Sequence, residues 1–132
     1  MNRIVARFQD GRMLKGFTSD FLPGKDRFHL FPEDQSAGVK PAEVVVAQLK
    51  ALFFVKTFEG NSDHEEPSDF LEEKPLSGRK IRIVFKDGEI MAGTTQGFDR
   101  SRPGFFVVPV GPGSNNQRCF VVTAATEKVT FV

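Results

Sequence analysis

The chain carries one phrase twice. Residues 7–22 read RFQDGRMLKGFTSDFL, and residues 84–99 read VFKDGEIMAGTTQGFD. An ungapped offset of 77 lays 3–55 on 80–132. Ile4 then meets Ile81, Phe8 meets Phe85, Asp10-Gly11 meets Asp87-Gly88, Gly16 meets Gly93 and Thr18 meets Thr95. Further on, Phe21 meets Phe98, Phe28 meets Phe105, Pro32 meets Pro109 and Val44-Val45 meets Val121-Val122. Ala47 meets Ala124, and Phe54-Val55 meets Phe131-Val132. The identities fall on glycines, turn residues and apolar positions, which a backbone dictates. They predict an internal duplication of one small fold.

The second copy shows what that fold is. In KIRIVFK, Ile81, Ile83 and Phe85 alternate with Arg82, Val84 and Lys86. This period of two predicts a half-buried strand. Asp87-Gly88 predicts a two-residue type I′ hairpin turn. EIMAGTTQGF is the return strand, with Gly93 and Gly97 marking a bulge or sharp bend. PGFFVVP, RCFVVT and EKVTFV are three further short strands. VGPGSNNQ is a loop and AAT a helical turn. The first copy follows the same course, with VAQLK as its helical turn. The expected fold is all-β: two tandem five-stranded small β-barrels of the Sm or SH3 kind. They span residues 1–58 and 79–132 and are joined by an acidic linker, 59–78.

Each copy is too small to bury much surface alone. Leu52-Phe53-Phe54-Val55 shows no polar alternation, so both faces of that strand must be covered. The barrels should therefore pack against each other or against a second chain. Fifteen Phe with no Trp or Tyr fit the same picture, because Phe has no polar handle and most of its rings belong in cores. Residues 59–78 hold seven carboxylates against Lys74. Residues 1–58 hold nine basic and six acidic residues, and 79–132 hold eight and four. Two mildly basic units thus flank an acidic segment, and the linker is expected either to lie on their basic surface and mask it or to form a solvated spacer with Phe70-Leu71 docked on a barrel.

IVFKDGEIMAGTTQGFD resembles the first half of an Sm-type motif, as found in Sm-like and Hfq-like RNA-binding barrels. Phe85, Asp87-Gly88, Gly93 and Phe98-Asp99 match it. In the first copy Phe8, Asp10-Gly11, Gly16 and Phe21 match, and Leu22 replaces the Asp. The base-holding Asn of that motif is replaced by Pro103 and Asp26, and its Arg-Gly pair is absent from RCFVVTAATEKVTFV. The resemblance therefore implies a bent strand pair more than a uridine pocket. The phrases DFLPGKDRFHLFP, KALFFVKTFEG and RPGFFVVP…SNNQRCFVV are similar to a small family of uncharacterised bacterial proteins. That resemblance implies no assigned activity, and an association with PilZ or response-regulator modules.

Catalytic chemistry is not readable. His29 takes the place of Phe106 and reads as a strand-face residue. His64 sits in the acidic linker as a solvated side chain. Cys119 aligns with Ala42 and reads as a small strand residue without a neighbouring base. No metal site, cofactor or phosphate loop is expected. The R-x-x-x-R and D/N-x-S-x-x-G elements of cyclic-dinucleotide binding both fail: Arg100 and Arg102 are two apart, and Asp34 to Gly38 is one residue short. What remains is a candidate ligand-binding group of Arg100, Arg102, Ser114, Asn115, Asn116 and Arg118, on two connections that a small barrel can bring together. The expected function is a non-catalytic interaction module for a protein partner. The alternatives are Sm-like binding of nucleic acid, and binding of an anionic, nucleotide-type ligand in signalling. One cysteine, no apolar h-region at the N-terminus and no membrane-length apolar run predict a cytoplasmic protein.

Overall fold

The computed structural model describes residues 1–33, 40–58, 78–110 and 116–132. The acidic linker and the loop residues Ser114 and Asn115 lie outside the described residues. Among the described residues all regular structure is β apart from two short 3₁₀ turns. The first half runs β1 (Asn2–Phe8), β2 (Met13–Thr18), β3 (Arg27–Pro32), β4 (Ala42–Val45), a turn at Val46–Gln48, and β5 (Leu49–Val55). The second runs β6 (Arg79–Phe85), β7 (Ile90–Thr95), β8 (Gly104–Pro109), β9 (Asn116–Val122), a turn at Thr123–Ala125, and β10 (Thr126–Phe131).

Strand pairing repeats with the sequence offset. Ile4 lies opposite Gly16 and Ile81 opposite Gly93. Phe28 lies opposite Val44 and Phe105 opposite Val121. Ile4 pairs Phe54 as Ile81 pairs Phe131. The halves do not close separately. All strands join one open antiparallel sheet in the order β10-β6-β7-β8-β9-β5-β1-β2-β3-β4. The pairing thus draws a single ten-stranded sheet where two separate five-stranded barrels were expected. The cause is the joint between β5 and β9, where Leu52 faces Phe120 and Phe53 faces Cys119.

That joint places two cores on opposite faces of the central strands. Leu49, Leu52 and Phe54 join Ile4, Ala6, Phe8, Phe28 and Leu30 in one core, along with Phe120 and Val122 from β9. Ala51, Phe53 and Val55 join Ile81, Ile83, Phe85, Phe105 and Val107 in the other, with Cys119 and Val121. Every residue of β5 is buried, as its unbroken apolar run requires.

The hairpin turns differ from the type I′ expectation. Gly88 N–H donates to Phe85 O at 2.9 Å, and Phe85 N–H to Glu89 O at 2.8 Å. Within this turn only Gly88 has positive φ, 94°. The loop is therefore Lys86-Asp87-Gly88, with Gly88 in the left-handed position that closes a three-residue turn. Gly11 repeats it, with φ 95°. Asp87 stays at negative φ and its Oδ1 accepts from Glu89 N–H at 2.9 Å. A type I′ turn would require positive φ at Asp87 as well.

Candidate functional site

Arg118 stands opposite Phe54 across the β5–β9 joint. Its guanidinium carbon lies 4.4 Å from the Phe54 ring centre and 4.7 Å from that of Phe106 on β8. Stacking on two rings fixes a side chain that would otherwise lose rotamer freedom on binding. The N–H groups still face outward, since Arg118 is exposed. Phe21, on the β2–β3 connection, packs edge-on against Phe106 at 6.3 Å and Phe120 at 5.1 Å. It also touches Phe28 at 5.3 Å and Phe54 at 5.9 Å. This ring fastens the first half's loop onto the face of β8 and β9 that is turned to the first core.

Beside it opens a groove of about 870 Å³, lined by Pro23 on one side and by Phe98, Phe106, Val108, Phe120, Arg102 and Arg118 among others. The volume falls in the range of small-ligand and peptide-anchor sites. Val108 is 51% exposed there. Leu22, next to Pro23, is 57% exposed. The site is thus apolar in its floor and cationic at its rim.

The β7–β8 connection is shaped by Asp99. Its Oδ1 accepts from the Ser101 hydroxyl at 2.7 Å and from Ser101 N–H at 2.9 Å. These bonds, the hydroxyl first, hold the Asp99 carboxyl below its usual range. Arg102 Nε lies 3.9 Å from Asp99 Oδ2, a loose surface pair. Thr123 anchors the same connection by donating its N–H to Pro103 O at 2.9 Å and its hydroxyl to Arg102 O at 3.2 Å.

Of the residues singled out from sequence, Arg102 and Arg118 meet on this groove. Arg100 is exposed on the same connection and is not among the groove's described lining residues. Asn116 begins β9, and Ser114 and Asn115 lie outside the described residues. Sequence reasoning missed the aromatic floor and the contribution of Pro23. The signal for the floor was there: GFFVV alternates, so Phe106 and Val108 must leave the core that Phe105 and Val107 enter. His29 sits on β3 with Nδ1 2.7 Å from Asp20 Oδ2, an exposed pair. Cys119 is fully buried. Among the described residues, no group of three or more His, Cys, Asp and Glu could hold a metal ion, and no helix is long and apolar enough to cross a membrane.

A family model matches residues 1–132, the whole chain. The chain belongs to DUF6982, a family of unknown function. No curated protein and no solved structure matches it. For this member of DUF6982, function has to be argued from the groove itself.

Proposed function

We propose that the protein is a non-catalytic binding module that takes an acidic, apolar-anchored segment of a partner protein in the groove between β7–β9 and the β2–β3 connection. The observation that carries this reading is Arg118: a guanidinium prestacked on Phe54 and Phe106, exposed, and with no carboxylate partner among the described residues. A carboxylate on the partner would meet that fork in two parallel hydrogen bonds. The floor of Phe98, Phe106, Val108 and Phe120 would hold the neighbouring aliphatic or aromatic side chain. Both halves descend, on this reading, from duplication of one Sm- or SH3-like five-stranded unit, and only the second kept the cationic aromatic face. The one cysteine, buried and in no disulfide, suits a reducing, cytoplasmic setting.

The test is a titration of the labelled protein with an acetylated, amidated peptide of alternating Glu and Phe, followed by backbone amide shifts. Shifts at residues 96–108 and 117–120, weakened about tenfold or more by Arg118→Met, support the reading. Equal binding by Arg118→Met and wild type, or shifts confined to other surfaces, overturns it. Stronger competition by oligouridylate than by the peptide at the same residues would favour nucleic acid instead.

A further inference from the structure

The pairing registers define a second joint that the chain does not make. β5 and β9 form the internal joint, and the offset of 77 turns them into β10 and β4. Those are the two outermost strands of the sheet among the described residues. A further copy of the chain could in principle bring its β4 edge to β10 as β9 is brought to β5, and the addition could continue head to tail.

Residue by residue, the outer edges have the joint's positions without its chemistry. At the joint Phe120 is 1% exposed, Cys119 0%, Ala51 0% and Phe53 7%. The equivalents are Glu43, Ala42, Lys128 and Thr130, of which Glu43, Lys128 and Thr130 are exposed. Phe106, which receives Phe21, is replaced by His29, and Arg118 by Pro41, which has no N–H to donate. The incoming face is nonetheless kept. Phe98 packs on Phe105 at 4.7 Å and Phe131 at 5.8 Å, as Phe21 packs on Phe28 and Phe54. Docked as Phe21 is, Phe98 would meet Glu43 and His29, which are already engaged with Arg27 and Asp20. At such a joint Lys128 would face Val44, as Ala51 faces Val121, and lose water with no carboxylate opposite it, while Glu43 would have to be buried together with Arg27 or parted from it. Charged residues and Pro on edge strands are a general means of blocking edge-to-edge addition.

We propose that β4 and β10 are disabled copies of the internal joint, so that the chain stops at two units and does not propagate with further copies. The test restores each edge separately. One variant carries His29→Phe and Glu43→Phe, and the other carries Lys128→Ala and Thr130→Phe. Wild type and each variant alone should sediment as monomers, and an equimolar mixture of the two variants should form a 1:1 complex. Glu43→Leu with the second variant gives a weaker version should the double aromatic change prevent folding, which circular dichroism would show. Association of wild type that is abolished by substitutions in β4 or β10 overturns the proposal. So does a mixture that stays monomeric while both variants are folded.

Discussion

Lys50 Nζ lies 2.6 Å from Asp87 Oδ2, joining the first half's last strand to the second half's first turn. The lysine side chain is 6% exposed, the aspartate's 52%. Glu89 Oε1 also contacts Nζ, and the Phe85 ring lies 4.7 Å away. This buried cation ties the halves together at a point remote from the groove.

The Lys50 hydrogen bond, followed by the Glu89 N–H, holds Asp87 below its usual pKa of 3.8. A depressed carboxyl stabilises the fold above its unfolded pKa, and that contribution is lost as pH falls through the folded value. Melting temperature should therefore drop in acid below about pH 4, and Lys50→Met should flatten part of that drop. At pH 7 Lys50→Met should be close to neutral, because a methionine of similar length packs without the desolvation cost. Asp87→Ala with Glu89→Ala, which leaves Lys50 buried alone, should cost about 3 kcal/mol. Thermal melts from pH 2.5 to 7 on wild type and the two variants check this.

The bend glycines should separate cleanly. A Cβ on Gly16 would sit 2.1 Å from Phe31 O, and one on Gly93 would sit 2.5 Å from Val108 O. Neither backbone atom can move aside without parting β2 from β3 or β7 from β8. Gly16→Ala and Gly93→Ala should each lose about 2 kcal/mol or more in urea unfolding. Gly97 has nothing within 4 Å of its Cβ direction, so Gly97→Ala should fall within about 0.5 kcal/mol of wild type.

Because β5 serves both cores, residues 1–58 and 79–132 expressed apart should not fold. The first would expose Phe53 and Val55, and the second would lose the wall that covers Val121. Phe53→Ala in the full chain should cost about 3–5 kcal/mol. A fragment that melts cooperatively near the full-length temperature would contradict this, by circular dichroism or calorimetry.

Cys119 is fully buried, with Sγ 3.9 Å from Met91 Sδ. Its modification by a thiol reagent should follow global opening, and added urea should accelerate it in step with unfolding. Rapid labelling in native buffer would show that β9 opens locally.

The strands of each half were legible along the chain because Ile81, Ile83 and Phe85 alternate and Gly88 punctuates. The doubly buried β5 was legible because Leu52–Val55 has no polar member. The open ten-stranded sheet was not. Edge pairing between β5 and β9 is made by backbone groups that every residue shares, and sequence periodicity says which face is buried, not which strand lies alongside. In the groove, Arg102 and Arg118 stood out as charges, although Arg118 was expected on a connection and lies on β9. The exit of Phe106 was readable in the alternation of GFFVV, but Phe120 was not, because a core ring that also walls a groove carries the same letter as any other core ring. Lys50 was hidden too: it reads as the polar residue of a short turn, and its partners lie 37 and 39 residues away.

A strand whose two faces belong to two different cores has no idle position at which to accept change. β5 and β10 share a backbone course, yet one reads LKALFFV and the other TEKVTF. In a saturation scan of every position, β5 should stand out as the segment with the narrowest set of tolerated residues. Its twin at the sheet's margin should accept polar letters freely. The two strands hold equivalent places in their halves, and position in the sheet sets which of them is free to vary.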